Sequence, residues 1–441
     1  LSLSLSPFIM ATYDELVLLL LLPLVSMLLA LGKGKKQKGT LKPKLAPGPR
    51  GLPLIGNLHQ LGTLPHRTLG ELSKRHGPVM HLQLCGVPAL IISSAEMAEV
   101  VLRTHDLNFC SRPDLIPSKR LSYNFSDVGF SPYGAIWRKL RKIFVVSLLN
   151  TRKVEEFRPV REEEVERMMV SISSLASLSK PINLSKLLHS LFAGITCRVA
   201  FGKKFLGREQ ERTIHQILCD TQALMVGFFA ADYFPWAWWM DVLTGQRARL
   251  ERHFHVLDAF LQEIIEAHTV PTRPRDDEED FVDVLLRLQK EDPSLTQDHV
   301  KGLLMDVLTA GVDTSFAVLE YGMAELVRNP NAMLRAQEEV RRTVGDKGKV
   351  DESDIPQLNY LKSVVKETLR LHPVAPLLVP RETTSHIKIN GYDILPKTRV
   401  LVNAWAIGRE RASWERPDEF IPERFMDSSV DFKGHDFQFI P

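Results

Sequence analysis

The sequence predicts a mainly α-helical fold with small β-sheets, an α+β class. Most of the chain after residue 58 consists of long segments in which apolar residues recur every three or four positions, the period of a helix packed on one side. Runs of β-branched residues are short and few. The sequence shows no glycine-rich phosphate loop and no strand–helix–strand alternation, so a Rossmann or P-loop fold is not supported.

Composition indicates an ordinary globular protein. The 441 residues are 44% hydrophobic and 25% charged, with a net charge of +3. That charge is too small to favour nucleic acid as a partner, and neither a basic–aromatic array nor zinc-ligand spacing accompanies it. The four cysteines are far apart and form no CxxC pair, which favours a reducing compartment; they are Cys85, Cys110, Cys197 and Cys219.

The first 57 residues predict attachment to a membrane. Residues 1–9 precede Met10 and are interpreted as a translated upstream leader. Residues 10–31 contain an uncharged apolar run of nearly the length that a bilayer requires. Residues 32–57 are rich first in lysine and then in proline, which predicts a basic, stiff hinge.

Orientation follows from the position of the positive charge. Basic flanks stay in the cytosol, so residues 58–441 are predicted to form a cytosolic domain. A cleaved signal peptide is the alternative, but such a peptide carries its basic residues before the apolar run, whereas here they follow it.

Periodicity predicts the elements of residues 58–441 in order. A short helix at 67–75 precedes a hairpin with strands at 79–84 and 89–93 around Gly86. Further helices are predicted at 135–149, 151–174, 184–201, 211–227, 244–268, 281–289, 299–330, 332–344 and 358–371. Short strands follow at 387–389, 391–394 and 400–402.

The connection at residues 227–240, GFFAADYFPWAWWM, is unusually aromatic. Two interpretations are open. The aromatic side chains pack in the core, or they contact the bilayer interface, where Trp and Tyr are favoured.

The helix at 299–330 lies at the centre of the prediction. Its apolar period is interrupted by Ala310-Gly311-Val312-Asp313-Thr314-Ser315. Glycine costs a helix interior about 1 kcal/mol relative to alanine, and unpaired polar groups are unfavourable among apolar ones. We expect Thr314 to donate to the carbonyl of Ala310 and bend the helix. Alone, these residues fit a tolerated kink as well as a functional site.

Motifs elsewhere in the chain decide between these two interpretations. Glu367-Thr368-Leu369-Arg370 places an acid and a guanidinium on one helix face. It is followed by Leu371-His372-Pro373, then Arg381, then Pro422-Glu423-Arg424-Phe425. Together with APGPRGLPLIGN, AGVDTS and WRKLR at 137–141, this order resembles the cytochrome P-450 family of haem-thiolate monooxygenases, most of all its membrane-anchored plant A-type members. The resemblance covers nearly all of residues 10–441.

The resemblance implies a cytochrome P-450 fold, haem b as cofactor and a role for each matching residue. Glu367, Arg370 and Arg424 would form a buried charge network on the proximal side of the haem, a structural role. The propionate groups would be bound by a set of cationic and indole side chains, which are Trp137, Arg141, Arg381 and, as a weaker candidate, Arg112.

The distal side is implied in the same way. Asp313 and Thr314 match an acid–alcohol pair that delivers protons during oxygen activation, with Thr314 over the iron. Ala310 belongs to the same wall, and Gly311 would leave room for oxygen or substrate. Pocket walls would come from this helix and from residues 113–130, 224–233 and 374–379. They are largely apolar and favour a small lipophilic substrate, of secondary-metabolite type.

Partners and location follow from the same resemblance. NADPH would act indirectly, through an NADPH–cytochrome reductase that docks on the basic helix at 137–142. O2 is the co-substrate, and nucleic acid is not a partner. The N-terminal anchor would hold the protein in the endoplasmic reticulum membrane.

One family feature is missing from the printed sequence. The axial cysteine of the family lies in an FxxGxRxCxG loop shortly after PERF, and none of the four cysteines has that loop around it. No metal ligand is therefore assigned. The axial cysteine is expected beyond Pro441, and the chain is expected to be a C-terminally truncated fragment that does not hydroxylate by itself.

Two alternative functions remain. One is an O2-independent hydroperoxide isomerase or dehydratase of the same fold, against which the pair Asp313-Thr314 argues. The other is a non-catalytic, truncated membrane protein that binds an apolar ligand.

Overall fold

The computed structural model describes residues 43–202, 208–270 and 279–441 of the chain, without the side chains of 208–212. The predicted leader (1–9), the predicted anchor (10–31) and the hinge up to residue 42 lie outside the described residues. Residues 45–441 form one unit by their contacts.

Helices make up most of this unit, as the apolar period predicts. In chain order they are α1 (Pro65–His76), α2 (Ala95–Glu99), α3 (Asp106–Phe109), α4 (Ile116–Leu121), α5 (Ala135–Ile143), α6 (Thr151–Glu156), α7 (Arg158–Ser177), α8 (Leu184–Phe201), α9 (Arg208–Met225), α10 (Trp238–Leu243), α11 (Gln246–Thr269), α12 (Phe281–Glu291), α13 (Gln297–Gly311), α14 (Asp313–Arg328), α15 (Pro330–Val344), α16 (Asn359–Leu371) and α17 (Ala404–Ile407).

The helix predicted at 151–174 is divided in the structure. α6 ends before Phe157, and α7 begins at Arg158 with Pro159 in its first turn. Proline has no N–H to donate and favours the first turn of a helix, so the chain starts a new helix here.

Six short strands in the described part of the chain form two sheets. They are β1 (Val79–Leu84), β2 (Val87–Ile92), β3 (Arg381–Glu382), β4 (Ile387–Ile389), β5 (Tyr392–Ile394) and β6 (Arg399–Val402). The larger sheet has the order β1-β2-β6-β3, and β4 pairs with β5. The predicted hairpin is the antiparallel pair β1–β2, with Val79 opposite Ile92. Strand β6 adds to β2 in parallel, which joins the two ends of the chain.

The long central helix is two helices in line. α13 and α14 meet at Val312, beside the predicted break. Thr296 caps α13 by accepting from the N–H of His299, while its own N–H donates to the His299 ring. Residues 297–328 are long and apolar enough to cross a membrane by composition. However, α13 is buried from Val300 to Leu308, as expected for a core helix.

The segment before α5 lies directly on α13. A Cβ on Gly302 would lie only 2.3 Å from the carbonyl oxygen of Ser126, so the glycine permits this close approach. Asp306, one turn later, accepts from the N–H groups of Val128 and Gly129 at 2.7 and 3.3 Å. The central helix therefore fixes the loop that leads into α5.

In the aromatic segment at 227–240, some side chains pack in the core and others are exposed. Phe229 and Ala237 are fully buried, in agreement with core packing. Trp236 and Trp238 are 48% and 63% exposed. The segment also touches the β1–β2 turn, because a Cβ on Gly86 would lie 2.7 Å from the carbonyl oxygen of Tyr233. The structure thus leaves an exposed aromatic surface beside the hairpin.

Candidate active site

Three charged side chains meet in the interior near the end of the chain. Arg370 donates from Nε and Nη2 to the carboxylate of Glu367 at 2.7 and 2.8 Å, and both side chains are fully buried. Arg424 Nε donates to Oε1 of Glu367 at 3.0 Å, and the N–H of Ile421 donates to the same atom at 2.8 Å. Arg370 also donates to the carbonyls of Gly408, Pro417 and Glu419. Donors and acceptors are matched, as a buried charge requires.

The break in the central helix carries the predicted acid–alcohol pair. Thr314 Oγ1 donates to the carbonyl oxygen of Ala310 at 2.6 Å, as expected from the sequence. Both of these residues are exposed. The carboxylate of Asp313 accepts a hydrogen bond from Gln222 and lies 3.5 Å from Nε2 of His189. The alcohol therefore faces the open side of the helix, whereas the acid faces α8 and α9.

The missing side chain of Gly311 would point towards α8. A Cβ at this position would lie 3.1 Å from both Oγ1 and Cγ2 of Thr196 on α8. The room left by the missing side chain is therefore occupied by another helix. On that side, Gly311 serves the packing of α13 against α8. That it leaves room for oxygen or substrate at the helix bend stays a prediction.

One face of the central helix, from the end of α13 into α14, is mostly apolar and yet open. Ala310, Thr314, Ala317 and Tyr321 follow each other at three- and four-residue spacing and so share a face. Tyr321 is 45% exposed, and its ring stacks on the imidazole of His372 with centroids 4.8 Å apart. An exposed apolar wall on a central helix is suited to a flat, largely apolar ligand.

Two of the predicted propionate ligands lie close together. Arg112 Nη1 donates to the carbonyls of Val379 and Pro380 at 3.0 and 3.1 Å. Arg381 Nη1 pairs with Asp106 at 2.8 Å. Burial and the neighbouring Arg381 lower the pKa of Arg112 to about 10, which shows that the two guanidinium groups repel each other. The pair suits a ligand with carboxylate groups.

The other two predicted propionate ligands lie on α5. The indole N–H of Trp137 donates to the carbonyl oxygen of Val128 at 3.1 Å, so the structure commits this donor to the preceding loop. Arg141, one turn later, is exposed. Trp137 can contribute its ring surface to a ligand, while Arg141 can contribute its charge.

The described residues provide some of the groups that would hold a haem. The apolar face of α14 suits the macrocycle, and Arg112 with Arg381 suits the propionates. A thiolate ligand, by contrast, requires an environment that lowers the thiol pKa. Burial raises the pKa of the Cys85, Cys110 and Cys219 thiols. Cys197 is fully buried within α8, and none of the four is assigned as an axial ligand.

A pair of buried carboxyl groups was not predicted. Asp127 is fully buried in the loop before α5, and its Oδ1 has no hydrogen-bond partner among the described residues. Burial raises the pKa of Asp127 and of Asp306, and the charge of Asp306 raises that of Asp127 further. The pair therefore holds a proton more readily than an ordinary carboxyl group does. In the sequence, the sign of this pair was Asp306, an acid within an otherwise apolar run of α13.

The segments predicted to wall the pocket converge. The N–H of Ile116 donates to Asp232 at 2.9 Å, and Ser118 Oγ lies 3.7 Å from the sulfur of Met225. Residues 113–130 thus contact residues 224–233. Through Arg112, the start of the first segment is also bonded to Val379.

Comparison with known proteins identifies the family to which this chain belongs. The cytochrome P-450 family model matches residues 46–441. The chain belongs to the cytochrome P-450 family. It is an oxidoreductase of the monooxygenase type, and the curated relatives named below are plant enzymes.

Individual relatives agree with this assignment. Cytochrome P-450 71A1 of Persea americana is 50% identical over 88% of this chain and 78% of its own length. Cytochrome P-450 71A9 of Glycine max is 47% identical over 98% and 87%. Strychnine-11-hydroxylase of Strychnos nux-vomica is 46% identical over 93% and 81%. A zebra fish cytochrome P-450 solved with progesterone has a TM-score of 0.72 at 26% identity, covering 83% of this chain and 85% of that one.

Proposed function

We propose that this cytochrome P-450 inserts one oxygen atom of O2 into a small lipophilic substrate, with electrons that NADPH supplies through a reductase. The placement of Ala310 and Thr314 on an open apolar face, with the Asp313 carboxylate behind them, supports this most directly. When bound, haem supplies the oxygen-activating chemistry. The Thr314 hydroxyl holds a proton on the substrate side, and Asp313 replaces that proton from behind.

The residues that would hold the haem come from separate parts of the chain. Arg112 and Arg381 would bind its propionates, and Arg141 on α5 would add a third positive charge. Trp137 would pack against its edge. The network of Glu367, Arg370 and Arg424 would keep α16 and the segment at 422–425 in place beneath it.

The substrate class is proposed from the pocket walls. Residues 224–233 are largely apolar and meet residues 113–130 beside the central helix. Such walls bind a ligand by burying apolar area, and a few polar groups orient it. One relative is named for hydroxylating strychnine. We therefore expect a plant secondary metabolite of that hydrophobic, compact kind.

Electron supply and location are proposed from the surface. On α5, Arg138 and Lys142 are exposed and suit an acidic reductase, while Lys139 is paired with Asp292 at 2.5 Å. The apolar run at 10–31 would anchor the enzyme in the endoplasmic reticulum membrane. The exposed Trp236 and Trp238 would add a second contact at the bilayer interface.

The test uses the haem-loaded protein expressed from its complete transcript, with a plant reductase and NADPH. Candidate metabolites are screened by the spectral change on binding and by oxygenated product. Product that depends on both NADPH and O2 supports the proposal. Conversion of a lipid hydroperoxide without NADPH or O2 would contradict it and support the isomerase alternative.

A further inference from the structure

A line of polar side chains leads from the surface to Asp313. Nε2 of His189 on α8 lies 3.5 Å from Oδ1 of Asp313 and 3.2 Å from Nδ1 of His215 on α9. The His215 ring is exposed, and its Nε2 lies 3.7 Å from the sulfur of Cys219. The side chains of His189 and Asp313 are only 16% and 22% exposed. The line therefore runs from the exposed ring of His215 to two mostly buried side chains, His189 and Asp313.

The polar contacts of His189 indicate more than packing. Its Nε2 is shared between a carboxylate oxygen of Asp313 and a ring nitrogen of His215. A neutral ring nitrogen either carries a proton and donates, or lacks one and accepts. His189 can therefore donate to Asp313 or accept from His215, but Nε2 cannot do both at once. The two arrangements differ by the position of a proton.

Neighbouring groups hold this line in place. Gln222 donates to the second carboxylate oxygen, Oδ2 of Asp313, which leaves Oδ1 for His189. The ring of Phe316 lies edge-on to His189 at 5.7 Å. The other titratable groups nearby are Cys219 and Asp220 on α9, and Glu320 on α14, which accepts from Ser185.

We propose that His215 and His189 relay protons from solvent to Asp313, an inference that rests on the proposed role of Asp313. Protonated His215 gives its Nδ1 proton to Nε2 of His189, which passes a proton to Oδ1 of Asp313. Asp313 then gives a proton to the distal site beside Thr314. His215 takes a replacement from water, so one proton moves inward per cycle and no electron is transferred.

The first experiment needs no turnover. Nitrogen-15 NMR of the histidine rings is recorded on the full-length, haem-loaded protein in its diamagnetic ferrous carbon monoxide form. Asp313→Asn should shift the ring-nitrogen resonances of His189 and His215. The control ring is His255, which is exposed on α11 and should not respond.

The second experiment measures NADPH-driven O2 consumption with the reductase in H2O and D2O. His189→Gln and His215→Gln should slow it at least about tenfold and raise the solvent isotope effect, because a positioned proton donor is lost. His255→Gln should match the parent. The carbon monoxide spectrum verifies that each variant has folded and holds haem.

Ring-nitrogen resonances of His189 and His215 that do not shift in Asp313→Asn would overturn the relay. So would His189→Gln and His215→Gln variants that both keep the parental rate of O2 consumption and the parental isotope effect. A parent protein that consumes no O2 would overturn the proposed function instead. The NMR arm would still decide whether the three side chains share protons.

Discussion

Glu367 and Arg424 are 57 positions apart in the chain, yet Oε1 of the first lies 3.0 Å from Nε of the second. The same carboxylate also takes two hydrogen bonds from Arg370 and is completely buried. This contact ties α16 to the segment at 422–425 beneath the proposed haem position. The contact fixes the position of α16 relative to the segment at 422–425, and so it shapes the proposed site.

We predict that Glu367→Gln destabilises the protein by about 3–5 kcal/mol, since the buried Arg370 and the mostly buried Arg424 would lose their counter-charge. The free energy of unfolding in urea checks this, with Glu419→Gln as the control. The Glu419 side chain is 58% exposed and, among the described residues, pairs with exposed Arg416, so its loss should cost about 0–1 kcal/mol. Equal effects of the two substitutions would contradict the network.

The carboxyl pair Asp127–Asp306 predicts a stability that falls as pH rises. The pKa of Asp127 is raised in the folded protein, so the folded state keeps a proton that the unfolded chain releases above about pH 4. This contribution is complete below that pH and is lost as the pH rises through the folded pKa. Asp127→Asn should flatten the decline in unfolding free energy between pH 5 and pH 8, as about one proton per molecule is no longer linked to folding.

The control for that measurement is Asp114→Asn, because the Asp114 side chain is 66% exposed in the same part of the chain. It should leave the pH dependence unchanged. A parent protein whose stability rises between pH 5 and pH 8 would show that the pair is ionised rather than protonated.

Gly311→Ala is predicted to cost about 1–3 kcal/mol through overpacking against Thr196. Thr196→Ala should restore most of that loss, because the Thr196 atoms within 3.1 Å are removed and its Cβ lies at 3.7 Å. A double-mutant cycle in urea measures the coupling. Gly322→Ala is the matched control in α14, where the nearest atom lies at an ordinary 3.4 Å. Additive effects of the Gly311 and Thr196 changes would refute the contact.

Thr314→Val keeps the shape of the side chain and removes the hydroxyl that donates to Ala310. We expect oxygenated product per NADPH to fall about tenfold or more, because the proton held on the substrate side is lost. Hydrogen peroxide should rise in its place. Thr314→Ser retains the hydroxyl and should remain near the parent. Equal coupling in all three proteins would exclude a role for the alcohol.

The sequence predicted local features and pairs close in the chain. The β1–β2 hairpin, the bond of Thr314 to Ala310, and the pairing of Glu367 with Arg370 each follow from a spacing of a few residues. The resemblance added the partner Arg424, whose position in space no periodicity encodes. The exact end of each helix was less predictable, because caps and prolines such as Pro159 decide it.

Contacts between distant segments were beyond the reach of sequence patterns. Asp306 bonds the N–H of Val128 across 178 positions, and Thr196 occupies the space beside Gly311. A glycine in a helix indicates that another part of the chain packs closely there, but the sequence does not identify that neighbour. The same limit explains why the histidine line to Asp313 appeared only in the structure, since His189 and His215 belong to helices whose relative position the sequence does not state.

The central claim is that this chain folds around a haem, with Thr314 on one side and the Glu367 network below the other. The carbon monoxide difference spectrum of the reduced, full-length protein tests it most directly. We predict the strongly red-shifted band of a thiolate-ligated haem, weakened in Arg112→Ala and Arg381→Ala because propionate contacts are lost. A protein that folds but binds no haem, or one with the band of a nitrogen-ligated haem, would contradict it.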